Sequence, residues 1–161
     1  ALWPSLSLLI LMFLMIVGAS AGSTSGGLKI LRLKIAYEIV RQEIGRIVQP
    51  RSVRLIRMNG EVVPLSKVQV VLGMLSAWAV SAVVGTTLIA IFEPNLDLES
   101  VLSLSLSCLG NTGPALGTYG PTATWASLNP PTMLITTLMM WLGRLEILTV
   151  LVVFNPRAWR L

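Results

Sequence analysis

Between Ser103 and Gly117 the chain reads SLSLSCLGNTGPALG, a short apolar run that breaks into Gly110-Asn111-Thr112-Gly113-Pro114. Gly110 and Gly113 permit the backbone angles of a tight turn, and Pro114 stops a helix from resuming. Peptide carbonyls in such a turn can face an ion, so the chemistry on offer is cation coordination by main-chain oxygen. Side chains offer much less. Absence of histidine and a single cysteine, Cys108, exclude disulfide frameworks, zinc sites and Cys/His nucleophilic pairs. Ser23, Thr24 and Ser25 have no histidine partner, and Lys29 beside Ser25 makes a weak Ser/Lys dyad. Neither an enzyme nor a cofactor is expected.

The elements around the turn must hold it inside a membrane. With 54% hydrophobic residues, 12% charged residues and a mean hydropathy of +0.79, the chain is too apolar for an ordinary soluble domain. Val68 to Phe92 and Thr132 to Phe154 are each long enough to cross a bilayer, which takes about 20 apolar residues. The run between them is shorter and fits a re-entrant element that enters and leaves by one side. Non-helical backbone at that depth is tolerated only where protein buries it or where it lines a watery path. Gly73, Ser76, Ala77, Ser81, Ala82 and Gly85 give the first span small-residue surfaces for close helix packing. Trp78 is expected to pack or anchor, and Trp125, in the loop from Gly117 to Pro131, to sit at an interface.

Charge placement sets the orientation. Of the 12 Lys and Arg residues, nine lie from Lys29 to Lys67, which makes that segment cytoplasmic. Glu93 to Pro131 has no cation but holds Glu93, Asp97 and Glu99, and is expected outside, where these carboxylates enrich cations or simply form a solvated surface. Arg157 and Arg160 put the C-terminus inside. A nucleic-acid arm is disfavoured, because Tyr37 is the one aromatic among the nine cations. Arg144, in Gly143-Arg144-Leu145-Glu146, falls roughly 18 Å along the last span. An ionisable residue there costs on the order of 2.5 to 3.5 kcal/mol and marks either a functional site or an internal pair. Two positions apart on a helix, Arg144 and Glu146 do not face each other.

The chain also resembles itself. Leu2 to Gly18 is apolar and ends in small residues through Ser23-Thr24-Ser25-Gly26-Gly27, as the later apolar run ends in Gly110-Asn111-Thr112-Gly113-Pro114. A signal peptide and a single spanning helix with a flexible linker are the plain alternatives. The repeat predicts pore helix, filter and inner helix, then outer helix, pore helix, filter and inner helix, with the first unit lacking its outer helix. Lys29 to Val48 is amphipathic, with Leu31, Ile35, Ile39, Val40, Ile44, Ile47 and Val48 close to one face. Pro50 ends it. Asn59-Gly60 predicts a hairpin between Val53-Arg54-Leu55-Ile56 and Val62-Val63. The expected organisation is one repeat over 1–50, a cytoplasmic linker over 51–65 and a second repeat over 66–161.

Three separated motifs then bear a family resemblance. They are Gly18 to Lys29, Leu109 to Pro114, and Gly143-Arg144-Leu145-Glu146-Ile147-Leu148-Thr149 through Phe154-Asn155-Pro156 with Trp159-Arg160. Together they resemble the Trk/Ktr/HKT superfamily, most nearly the bacterial Trk-type potassium uptake membrane subunit. Ala19 departs from the glycine that many relatives carry. The resemblance implies an all-α membrane protein with four helix, pore loop, helix repeats around a pseudo-four-fold pore, this chain being the last two. It implies potassium-binding filters at Gly22, Ser23, Thr24, Ser25 and Gly26 and at Gly110, Asn111, Thr112 and Gly113, with Arg144 as a gating residue below them. It implies a cell (inner) membrane location, a homodimer of full-length chains and a cytoplasmic nucleotide-binding regulatory subunit. A sodium-conducting member and a non-transporting scaffold subunit are the alternatives.

Overall fold

The computed structural model describes residues 4–18, 27–48, 57–58 and 61–145. Its helices are α1 (Ser5–Ile16), α2 (Ile30–Val48), α3 (Leu65–Phe92), α4 (Leu98–Gly110) and α5 (Pro130–Arg144). A small antiparallel pair, β1 (Arg57–Met58) and β2 (Glu61–Val62), brackets Asn59-Gly60 in the register Arg57 to Val62 and Met58 to Glu61. The predicted hairpin is therefore present, with its described strands nearer the turn than expected. A two-residue connection forces pairing between its immediate neighbours. Val53 to Ile56 lie outside the described residues.

α3 is the one helix among the described residues that is long and apolar enough to cross a membrane. Its 28 residues make it about 42 Å long. Val68, Val71, Trp78, Gly85 and Ile89 are its buried positions and follow one helical stripe, while Val80, Val83 and Ile91 are exposed. Of the small residues expected to mediate packing, Gly85 does so. A Cβ there would run into the Met139 thioether of α5, whereas Gly73 faces open space. Trp78 belongs to the core, though its indole N–H has no partner among the described residues.

α2 corrects one sequence expectation. Ile35 is buried, but Val40, Ile44 and Ile47 are exposed. With 3.6 residues per turn, Val40 lies about 140° around the helix from Ile35, so the apolar residues form two stripes rather than one face. α5 supplies a second correction. The helix expected to continue to Phe154 ends at Arg144, with Leu145 at φ −84° and ψ 3° as its cap. Gly143, a poor helix former, sits just before that end. Residues 146–161, with Glu146, Arg157 and Arg160, lie outside the described residues.

α4 is the centre of the structure. Although only 13 residues long, it buries Ser100, Val101, Ser103, Leu104, Ser105, Ser107, Cys108, Leu109 and Gly110. α3 and α5 flank it, and α1 reaches its C-terminal end. Four buried serines would be costly unless bonded. Three of them hold the chain as it returns antiparallel along α4. The Ser107 hydroxyl accepts from Thr112 Oγ1 at 3.1 Å, Ser103 Oγ accepts from Leu116 N at 2.9 Å, and Ser100 Oγ accepts from Thr118 N at 3.0 Å. Residues 100, 103 and 107 share one helical face. Ser105 points elsewhere and donates to Ala82 O of α3 at 3.3 Å. Where the sequence predicts a re-entrant element, the structure has a helix followed by a segment that returns along it, stitched together by hydroxyls.

Asn129 ties the C-terminal end of α3 to the N-terminal end of α5. Its Nδ2 donates to Phe92 O at 2.9 Å, and its backbone N–H donates to Glu93 Oε1 at 2.7 Å. Pro130 then starts α5 at a position where its missing N–H costs nothing.

The serine stitching makes a measurable prediction. Ser103→Ala leaves the buried Leu116 N–H without an acceptor and should destabilise the protein by about 1–3 kcal/mol, whereas Ser105→Ala should cost about 1 kcal/mol or less. Thermal unfolding in detergent should rank the two variants in that order. Hydrogen exchange should find the Leu116 amide less protected in Ser103→Ala alone.

Candidate cation-coordinating turn

At the end of α4 the backbone leaves the helix through Asn111, whose φ of 52° and ψ of 40° are left-handed. Asparagine is one of the few residues other than glycine that enter this region routinely. The Asn111 N–H donates to Cys108 O at 3.3 Å, and the Thr112 N–H donates to Ser107 O at 3.2 Å. These bonds occupy carbonyls that a helix end leaves open. Gly113 follows at φ 101°, with open space where a Cβ would project. It is needed for its backbone angle rather than for room. Thr112 and Gly113 are exposed, while Ala115 and Leu116 are buried as the strand runs back along α4.

Gly110 serves a different purpose. A Cβ on it would stand 2.6 Å from Met15 O, so the last residue of α4 touches the last turn of α1. Just beyond that contact, Gly18 N donates to Leu28 O at 2.9 Å and Leu28 N donates to Ile16 O at 3.0 Å. These bonds belong to a parallel bridge between Val17 and Leu28. The two flanks of 19–26 thus lie side by side, running the same way. Gly22, Ser23, Thr24, Ser25 and Gly26 themselves lie outside the described residues.

α5 closes the other side of the turn. A Cβ on Gly143 would run into Leu109 O and would lie 2.8 Å from Asn111 Nδ2. Asn111 Nδ2 donates to Met140 O at 3.1 Å. Arg144 is the next residue in the chain after Gly143, at the end of α5, and is exposed. The structure therefore brings Gly110, Asn111, Thr112, Gly113 and the end of α5 into one neighbourhood.

The electrostatics suit a cation. α1 and α4 have no basic residue in their last turns, so their C-terminal ends meet with the partial negative charge of each, about half a charge, not offset by a capping cation. Of the three carboxylates expected outside, Glu93 and Asp97 have structural partners. Glu93 accepts from Asn129, and Asp97 Oδ1 accepts from the Ser100 hydroxyl at 2.7 Å. Glu99 lies in the first turn of α4, at the far end from the Asn111 turn. Cys108 is fully buried. Sequence reasoning missed Ser100, Ser103 and Ser107, although their helical spacing was available, and it missed Met140 and Gly143 as neighbours of the turn.

Comparison with known proteins gives the family. A family model described as TrkH, cation transport protein, matches residues 1–160. The chain is 34% identical over 160 residues to Trk system potassium uptake protein TrkH of Salmonella typhimurium, covering 99% of this chain and 32% of that protein. It is 33% identical over 161 residues to Trk system potassium uptake protein TrkI of Halomonas elongata, covering 98% of this chain and 32% of that protein. The crystal structure of the potassium transporter TrkH from Vibrio parahaemolyticus matches with a TM-score of 0.86 and 32% identity, covering 98% of this chain and 33% of that chain. This chain thus spans about a third of the length of these relatives. Its mostly helical architecture, its apolar composition and the match over nearly every residue agree: the chain belongs to the TrkH family of membrane cation transport proteins.

Proposed function

We propose that the protein carrying this chain takes up potassium across the membrane through a pore, and that Gly110 to Gly113 lines one quarter of its selectivity filter. One observation carries this reading. A helix stops beside the end of a second short helix, and the backbone then returns past exposed Thr112 and Gly113 along the serine face of the first. Such a turn offers carbonyl oxygens without a competing side chain, as replacing an ion's hydration shell requires. The potassium uptake named for the relatives supports the choice of ion.

The same reading extends to the unseen half of the site. Gly22 to Gly26 forms a second filter strand, supported by the parallel pairing of its flanks and by the contact of α1 with Gly110. Residues 1–50 then make a repeat of pore helix, filter and inner helix without its outer helix, 51–65 a cytoplasmic linker and 66–161 the next repeat. Lys29 to Lys67 faces the cytoplasm and Glu93 to Pro131 the outside. Assembly is with a second pore-forming copy and a cytoplasmic nucleotide-binding regulator, for which the basic segment provides a surface.

Arg144 sits one residue from the contact between α5 and the turn and places a positive charge beside the path. It opposes cation passage and keeps flux adjustable. The scaffold reading has one observation in its favour, since Gly110 and Gly143 do serve close packing. Gly113 does not.

Two measurements test this function, both on the protein expressed from its complete reading frame in cells lacking other potassium uptake. Gly113→Ser has room for its side chain but strains the backbone, so it should lower potassium over sodium preference while expression stays near normal. Lost expression with preference intact would favour the scaffold. Arg144→Ala should raise rubidium uptake about fivefold, for roughly 1 kcal/mol of relieved repulsion. Unchanged or reduced uptake at equal protein level counts against a gating role.

A further inference from the structure

Asn111 occupies the turn, yet its side chain is directed away from the returning strand. Nδ2 donates to Met140 O of α5 at 3.1 Å. In a regular helix the Met140 carbonyl is the acceptor for the N–H four residues on, that of Arg144. A single carbonyl near the end of α5 therefore joins the turn to the residue that ends the helix. Next to it, Gly143 lets the Leu109 carbonyl and the Asn111 amide come within a distance that any side chain would forbid. α5 and the turn are in contact through backbone at Gly143 and through the Asn111 amide at Met140. The left-handed angles of Asn111 depend on the same residue, because a bulkier side chain would resist them.

We propose that Asn111 is a positioning residue that ties the filter turn to α5 at Met140, so that the ion preference of the turn depends on where the end of α5 lies. This rests on the transport reading above. Asn111 acts through the backbone that it orients, and a displacement of α5 at Gly143 re-aims the carbonyls of the turn.

The test compares rubidium and sodium uptake in the full-length protein at matched expression. Asn111→Gly keeps the left-handed backbone but deletes the amide. It should lower the rubidium over sodium preference about fivefold, the equivalent of one neutral hydrogen bond. Gly143→Ala perturbs the same contact from the α5 side and should reduce preference to a similar extent. The double variant should be no worse than either single one, because both break one linkage. Effects that multiply, or a preference left intact in Asn111→Gly, would overturn the proposal. Should Gly143→Ala fail to accumulate, Asn111→Asp decides the matter. It keeps size and backbone but sets a carboxylate against the Met140 carbonyl, so a wild-type preference refutes the linkage and a loss supports it. A wild-type protein that moves neither ion overturns the transport reading along with the proposal, whereas wild-type transport with unaltered variant preference overturns the proposal alone.

Discussion

A backbone that leaves a helix inside an apolar core must find new hydrogen-bond partners, and this requirement is what α4 is built to meet. Leu116 N–H, in a part of the chain with no strand beside it, is satisfied by the Ser103 hydroxyl. Ser100 does the same for the Thr118 N–H, and Ser107 accepts from the Thr112 hydroxyl. Without these bonds, the returning segment would leave the Leu116 and Thr118 amides unpaired, and for the buried Leu116 that loss is about 1–3 kcal/mol. With them, four polar residues sit at zero to one per cent exposure in the most enclosed helix of the described structure. The path of the returning strand follows from these bonds. So does the place where Thr112 and Gly113 emerge.

The glycines of the two motifs divide among distinct tasks. Gly110 and Gly143 are small because other main chains pass against them, Met15 O in one case and Leu109 O in the other. Gly113 is small because its backbone angle excludes most side chains. Three helices consequently converge on the turn at main-chain distance: α1 and α4 at their C-terminal ends, and α5 near its own. Convergence of α1 and α4, neither with a basic residue in its own last turn, concentrates negative potential where the carbonyls lie, with Arg144 at the end of α5 close by. Packing and electrostatics here have the same cause.

Much apolar surface faces outward. Leu6, Phe13, Val83 and Ile91 are all more than half exposed. On a soluble domain such a surface would promote association. On a membrane protein it is the face offered to lipid or to neighbouring helices, and its presence on α1 and α3 agrees with the family. α2 differs, since its apolar residues fall on two stripes and its charged residues lie between them, including the Arg41 to Glu38 pair at 3.8 Å. An exposed pair of this kind contributes little stability.

Hydropathy, charge and glycine placement determined the class by themselves: an apolar chain of helices with a long span at α3, a short apolar run breaking at Gly110 and a turn after it, although the second long span expected over 132–154 is a helix that ends at Arg144. These are local properties, and periodicity with breaker residues reports them well. The family was legible for the same reason, because its motifs sit at turns and helix ends that single residues define. Only the tertiary structure decided that Ser100, Ser103 and Ser107 form one hydrogen-bonding face. In the sequence they are hidden by SLSLS, whose alternation of two suggests a strand and hides the helical spacing of 100, 103 and 107. The tertiary structure also decided that α5 ends at Arg144 and that Asn111 reaches Met140, 29 residues away. A hydrogen bond across such a separation depends on how close two helices come, and that distance is set by what every other contact in the core allows.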